Sequence, residues 1–141
     1  MSNPANTVDF LSDEWLDAAN VAVGRLYPLD QAIVIGYSVT DSGDEVSSHS
    51  LVLGPARVGM IRGLTEAAVT LALDWDLAVE INQGRSGAQR AFLDGRITMT
   101  GDTAVLVQSS LSLNGVDEAL APLRARTTYR LGDLSDWKGI L

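Results

Sequence analysis

Two hydrophobic periods follow each other along the first third of the chain. Within residues 15–26 apolar side chains recur every three or four positions, which predicts a helix with one apolar stripe. Ser12 stands where an N-cap belongs, and Pro28 stops the helical pattern. Within residues 31–40 apolar side chains instead alternate with smaller ones, as they do in a strand with one apolar face.

Alternating segments between turn residues predict a sheet of five strands. Asp, Ser and Gly at 41–44 and the Gly54-Pro55 pair provide the turns of a three-stranded meander. The five predicted strands are 31–40, 46–53, 56–61, 68–73 and 96–100.

Helices are predicted between the fourth and fifth strands and after the fifth strand. Asp74 or Asp76 is suited to cap one helix and Ser86 to cap the next, because their side chains accept from free backbone N–H groups. The predicted helices of the second half are 76–83, 86–94, 103–113 and 117–126.

This order of elements predicts a single α+β domain, in which a mostly antiparallel five-stranded sheet carries helices on one face. Residues 1–10 are expected to form a loose N-terminal arm, residues 11–129 the domain, and residues 130–141 a tail of uncertain order. Because the helices come in short pieces, they can arch over the sheet and leave space beneath.

Composition and net charge limit the classes of partner that the protein is expected to bind. The chain has 141 residues, of which 46% are hydrophobic and only 6% aromatic, so a largely aliphatic core is expected. The net charge of −8 disfavours nucleic acid and stable docking on an anionic membrane. The chain has no Cys, and its start lacks the features of a signal peptide, so the expected location is the cytoplasm.

The second half of the chain resembles the sterol carrier protein-2 family. The shared pattern is a strand, a short helix ending in Gly, an Ala-Phe helical turn, Gly with a basic residue, a strand, and Gly-Asp opening a helix. Its segments here are Val69-Thr70-Leu71, Asp74, Ile81-Asn82-Gln83-Gly84, Gln89-Arg90-Ala91-Phe92-Leu93-Asp94-Gly95-Arg96-Ile97, Thr100-Gly101-Asp102 and Leu106. The start around Trp15 and the segment 124–129 are similar to small stand-alone bacterial members.

The resemblance implies a five-stranded sheet covered by helices, with an apolar tunnel between the layers. It implies non-enzymatic binding of fatty acyl chains, sterols or similar lipids, without a cofactor. Independently of the resemblance, a chain with one His and no Cys offers no multi-His or Cys-based zinc site, so no bound metal is expected. Sheet and helix positions that point inward are the candidates for the lining of such a pocket. They are Ile33, Ile35, Val69, Leu71, Leu73, Ile81, Phe92, Ile97, Met99 and Leu106. Each of them also fits an ordinary core position, because the residues that line a pocket and the residues that fill a core are both apolar and both point inward.

One alternative comes from a different class. His49 is the only histidine, and with a carboxylate it could serve as acid and base in a small α+β enzyme or cyclase. That hypothesis expects His49 inside a pocket next to Asp or Glu, whereas the carrier hypothesis expects a solvated strand histidine. No Gly-x-Ser-x-Gly or His-Glu-x-x-His motif accompanies it.

Two questions stay open at this level. Arg85, Arg90 and Arg96 could meet the headgroup of a ligand or could simply be surface charges. The chain could also be a homodimer whose cavity is filled by its own side chains, and Trp137 could cover the pocket or pack on another subunit.

Overall fold

The structure, a computed structural model, describes residues 7–26, 32–64 and 66–129. Its strands are β1 (Val8–Asp9), β2 (Ile33–Asp41), β3 (Asp44–Leu53), β4 (Val58–Arg62), β5 (Val69–Asp74), β6 (Thr98–Gly101) and β7 (Thr127–Thr128). Its helices are α1 (Asp13–Val23), α2 (Trp75–Asn82), α3 (Ala88–Leu93), α4 (Ala104–Gln108) and α5 (Ser110–Ala125). Three predicted features lie outside the described residues: the end of the first helix at Pro28, the start of the following strand at Gln31, and the tail 130–141.

The predicted α+β fold is confirmed, with five strands in the order β4-β3-β2-β5-β6. The meander β2-β3-β4 is antiparallel, and so is the pair β5-β6. Strand β5 instead runs parallel to β2, so the sheet is mixed. The apolar positions predicted on β2 fall on one face, because side chains alternate along a strand.

The parallel pairing of β2 and β5 requires the chain to cross the sheet after β4. The crossing runs over the face away from the helices, where a Cβ on Gly36 would lie 3.0 Å from Leu64 Cδ2 and 3.3 Å from Ala67 Cβ. On the same face Ser50 Oγ donates to Gly63 O at 2.7 Å. Small residues on this outer face therefore make room for the crossover.

The core lies between the other face of the sheet and the helices. Ile35, Leu51 and Val69 on the sheet are fully buried, as are Val23 on α1 and Leu77 on α2. Helix α1 lies against the edge strand β4, where Asn20 Oδ1 accepts from the backbone N–H of Met60 at 2.9 Å. No helix in the described ranges has both the length and the apolar character that crossing a membrane requires.

Two of the predicted N-caps are confirmed and one is wrong. Ser12 Oγ accepts from Trp15 N at 3.1 Å, and Asp74 Oδ1 accepts from Leu77 N at 2.8 Å. Ser86 does not cap α3, whose N-cap is Gly87. Its hydroxyl donates instead to Glu80 Oε1 at 3.0 Å, which joins the loop to α2.

The predicted division of the last helices is also wrong. The break falls at Ser109, and α5 runs unbroken through Gly115. Val116, Leu120 and Leu123 form one buried stripe along α5, so an interruption here would split its apolar face. A Cβ on Gly115 would lie 3.6 Å from Leu26 Cδ2, so this glycine lies at the contact between α5 and the segment after α1.

Part of the predicted loose arm is a strand. Val8 and Asp9 pair in parallel with Thr127 and Thr128, and Val8 N donates to the carbonyl of Arg126 at 3.0 Å. Apolar pattern alone gives little signal for a two-residue strand whose partner is more than a hundred positions away. The pairing ties both ends of the described chain together beside α1.

Candidate functional site

A cavity of about 860 Å³ lies between the sheet and the helices. Its floor is the covered face of β2, β3, β4, β5 and β6, and all five helices contribute to its walls. Leu51 and Leu71 are typical of the floor, and Ala78, Val116 and Leu120 of the helical wall. The sequence produces this lining because aliphatic side chains alternate along each strand and follow one stripe of each helix.

The structure brings most of the predicted lining residues together around this cavity. Those that line it are Leu71, Leu73, Ile81, Phe92, Ile97, Met99 and Leu106. Ile33, Ile35 and Val69 do not. Ile35 and Val69 are fully buried, and Ile33 packs against the same core. These three lie toward one end of the sheet face, which is packed solid, whereas the cavity opens over the other end.

The cavity reaches the surface between α3 and α4. Phe92, Leu93 and Val107 belong to its lining and yet are exposed, Leu93 by 72% and Val107 by 78%. Apolar side chains that are both lining and exposed mark the opening. Exposed polar lining residues stand beside them, Gln89 on α3 and Thr103 just before α4, so the rim of the opening is mixed.

The expectation that His49 is solvated is wrong. Its ring is 7% exposed and lines the cavity. It stacks on Tyr37, its cross-strand partner in the register, with ring centroids 4.9 Å apart and an interplanar angle of 13°. The segment Ser47-Ser48-His49-Ser50 has no apolar alternation of its own, so its sequence does not indicate which face His49 occupies. That face follows only from the alternation of the neighbouring Leu51 and Leu53.

Burial controls the charge of these two rings. Desolvation, followed by the nearby positive charge of Arg62, lowers the pKa of His49 to about 4. Desolvation raises the pKa of Tyr37 to about 12. Both side chains are therefore uncharged at neutral pH. Arg62 itself is engaged by Asp13 Oδ1 at 2.7 Å and by the carbonyl of Leu11 at 2.9 Å.

A second polar group lines the cavity where α2 meets α5. Asn82 Oδ1 accepts from Arg124 Nε at 3.1 Å, and Asn82 Nδ2 donates to Tyr129 Oη at 2.8 Å. Arg124 Nη1 lies 2.6 Å from Asp117 Oδ1, a carboxylate that is 67% exposed. The Arg124 side chain is only 23% exposed. This network holds a guanidinium at the edge of the apolar space.

Asn82 and Arg124 were not among the predicted site residues. Both stand in segments that carry the family resemblance, but a single Asn and a single Arg at helix positions are not distinguishable by pattern from surface residues. Helical spacing offered one usable signal: Val116, Leu120 and Arg124 recur every four positions, so Arg124 lies on the inward face of α5.

The arginines that were predicted as headgroup candidates point elsewhere. Arg85 Nε donates to Gln83 Oε1, Arg90 pairs with Asp94, and Arg96 pairs with Glu80 at 2.9 Å. These three are surface charges, and none of them belongs to the cavity lining. Within the described ranges, no three histidine or acidic side chains converge as metal ligands.

The sequence matches no protein-family model and no curated protein. Among solved structures, the fold is similar to a crystal structure of sterol carrier protein 2, with a TM-score of 0.63 and 13% identity over 79% of this chain and 96% of that one. It is similar to sterol carrier protein-2 like-3 from Aedes aegypti, with a TM-score of 0.56 and 11% identity over 73% and 96% of the two chains.

A third similar structure is Aedes aegypti sterol carrier protein-2 in complex with the C16 fatty acid palmitate. Its TM-score is 0.54 and its identity 17%, over 87% of this chain and 99% of that one. At such identities the likeness is one of fold. The chain therefore has the sterol carrier protein-2 fold, as the resemblance in its second half predicts.

Proposed function

We propose that this protein binds an apolar lipid-like molecule, such as a fatty acyl chain or a sterol, in the cavity and carries it unchanged. The observation that carries the proposal is the cavity itself, about 860 Å³ of space bounded by aliphatic side chains of the sheet and the helices. That volume lies within the range of about 300–1,000 Å³ that small-molecule sites occupy.

Burial of apolar surface supplies the driving force. Each methylene group that leaves water contributes roughly 0.8 kcal/mol, so a long acyl chain gains binding energy along its whole length. Leu71, Leu73, Ile81, Ile97 and Met99 would contact the apolar body of the ligand. The palmitate complex of the mosquito protein supports this use of the fold.

Arg124 is the proposed partner for a carboxylate headgroup. It lines the cavity, it is partly buried, and Asn82 holds its guanidinium in place. Asp117, its present partner, is largely exposed and so loses little when a ligand carboxylate takes its position. A charge-assisted hydrogen bond to the guanidinium would orient the ligand with its polar end toward solvent.

The acid–base enzyme remains the second candidate, because His49 does lie inside the cavity as that hypothesis expects. Its surroundings favour the carrier. The charged group that acts on the ring is the cationic Arg62, and Asp117, the acidic side chain in the described lining, is held by Arg124. A ring whose cation is disfavoured, and whose pKa no carboxylate of the described residues raises, is a weak proton acceptor. The empty volume of the cavity likewise argues against the hypothesis of a homodimer whose cavity is filled by the protein's own side chains.

Titration with a fluorescent fatty-acyl probe tests the proposal. Wild-type protein is expected to saturate near one probe per chain. Met99→Gln places an amide in the apolar wall and is expected to weaken binding roughly tenfold, whereas Thr98→Gln, on the opposite face of the same strand, leaves it unchanged. Thermal melts of both variants confirm folding. Equal binding by all three proteins would place the probe outside the cavity and contradict the proposal.

Extraction of the bound ligand separates carrier from catalyst. The protein is incubated for a long time with an added acyl ester and then extracted. A carrier returns the ester chemically unchanged. An altered product that disappears with His49→Phe would instead establish the enzyme.

A further inference from the structure

A patch of polar groups interrupts the aliphatic floor of the cavity. Tyr37 on β2 and His49 on β3 are paired across the two strands, and their rings are stacked. Ser47, two residues before His49 on the same face of β3, is also buried. A sheet that only had to bury apolar surface would have no use for polar side chains at these inward positions.

Hydrogen-bonding capacity in this patch is unused. Nδ1 of His49 and Oγ of Ser47 are buried and have no hydrogen-bond partner within the described part of the chain. Buried polar atoms are almost always hydrogen-bonded in folded proteins, because leaving one unpaired costs its full desolvation. These two atoms are shielded even from water, so a molecule in the cavity can meet the patch only through the parts of Tyr37 and His49 that line the cavity.

The chemistry of the patch selects the kind of partner. A neutral imidazole has one N–H donor and one acceptor nitrogen, and a protonated phenol both donates and accepts. Burial keeps both rings in these uncharged forms at neutral pH. The nearby cation, Arg62, is occupied by Asp13 and by a backbone carbonyl. Uncharged donors and acceptors in an apolar space match an uncharged oxygen and offer little to an ion.

We propose that Tyr37 and His49 form a subsite for an uncharged oxygen, a hydroxyl or a ketone, carried by the lipid ligand. The inference rests on the proposed function, since the ligand must first occupy the cavity. It adds selectivity to that function: of two ligands with the same apolar body, the protein prefers the one with the oxygen. The subsite lies on the sheet and is separate from the carboxylate partner Arg124 on α5.

Matched ligand pairs test the subsite. 1-Hexadecanol and hexadecane, and cholesterol and cholestane, each compete against the fluorescent fatty-acyl probe. Wild-type protein is expected to favour the hydroxyl member of at least one pair roughly tenfold. His49→Phe keeps a ring to stack on Tyr37 but removes the nitrogens, so it is expected to abolish the preference while hydrocarbon binding persists. Tyr37→Phe is expected to reduce it, and Ser48→Ala, on the outer face of β3, to leave it intact.

A spectroscopic measurement separates direct contact from a structural role. Because the chain has a single histidine, its ring ¹⁵N resonances in an NMR spectrum belong to His49 alone. The preferred hydroxyl ligand is expected to shift them, and its hydrocarbon partner to leave them in place.

The outcomes distinguish the two proposals. Hydrocarbon and hydroxyl ligands that bind equally to wild-type protein, or a hydroxyl preference that survives in His49→Phe, would overturn the subsite and leave the carrier standing. Failure of the probe and of every ligand to bind would overturn the carrier as well. If His49→Phe does not fold, Tyr37→Phe and the ¹⁵N shifts decide the matter.

Discussion

His49 shows how far a residue's setting can depart from its local sequence. It stands among serines, yet the strand register places it on the covered face of the sheet, stacked on Tyr37 in the floor of the cavity. Its polar neighbours are typical of an exposed strand, and the prediction of a solvated histidine is therefore wrong. The consequence of burial is a histidine that resists protonation, and this is open to measurement.

The stability of the protein should fall when His49 is forced to take a proton. Its pKa is lowered to about 4 in the native state from an ordinary value of 6.5. Between these values the unfolded chain binds a proton that the native state does not. The stability that neutral His49 gives the native state is therefore fully present above pH 6.5. It is lost as the pH falls toward 4, and the loss amounts to about 3 kcal/mol of unfolding free energy.

Urea unfolding at pH 7 and pH 4 measures this contribution. Wild-type protein is expected to lose about 3 kcal/mol more than His49→Phe over that interval. The carboxylates titrate in both proteins and cancel in the comparison. Parallel losses would show that His49 is accessible to protons in the native state.

Arg124 should control the preference for charged ligands. Arg124→Met keeps much of the length of the side chain but removes the guanidinium, so palmitate is expected to bind roughly tenfold more weakly. Binding of 1-hexadecanol, which has no charge, is expected to change little. Arg90→Met is the matched control, because the Arg90 side chain is 81% exposed, pairs with Asp94 on the surface and does not line the cavity. An equal loss in both variants would remove Arg124 from the site.

At the level of elements, sequence pattern predicted most of what apolar periodicity controls. The five strands and α1 were all predicted, since each has a clear apolar face. The errors fall where tertiary contacts decide: the pairing of Val8–Asp9 with the C-terminal strand, the cap of α3, and the path of α5 through Gly115. The same holds for the cavity. The inward-facing positions were predictable from apolar alternation, but the close packing of Ile35 and Val69 away from the cavity was not, because it depends on tertiary contacts.

The N-cap of α2 offers a direct test at this scale. Asp74→Ala removes the acceptor for Leu77 N and is expected to cost about 1 kcal/mol of unfolding free energy. Asp76→Ala removes a nearby charge in the first turn without removing the cap, and is expected to cost a few tenths of a kcal/mol. Chemical unfolding of both variants measures the difference, and equal costs would mean that charge rather than capping matters.

At the scale of the whole molecule, the cavity couples binding to stability. A ligand that binds only the folded chain stabilises it by about 2.7 kcal/mol at a concentration 100 times its Kd. For a domain of this size that corresponds to a rise in Tm of roughly 5–10 °C. Thermal melts with and without palmitate measure it, with Met99→Gln as the variant in which the rise should shrink. An unchanged Tm in wild-type protein at saturating palmitate would contradict binding to the native state.

The two polar groups give the molecule an asymmetric interior. The mouth between α3 and α4 combines exposed apolar side chains with the polar Gln89. The guanidinium of Arg124 lies at the edge of the space, and the Tyr37–His49 pair lies on its floor. A cavity that served only as a packing defect would have no reason to hold polar groups at defined places. An interior of this kind suits a molecule with a long apolar body and a small number of oxygens.

A lipid held in the cavity should be visible by native mass spectrometry of the freshly purified protein. We expect a species heavier than the chain by one lipid, which organic extraction removes and added palmitate restores at one per chain. A protein that is empty as purified and that also fails to take up added palmitate or cholesterol would contradict lipid binding in the cavity.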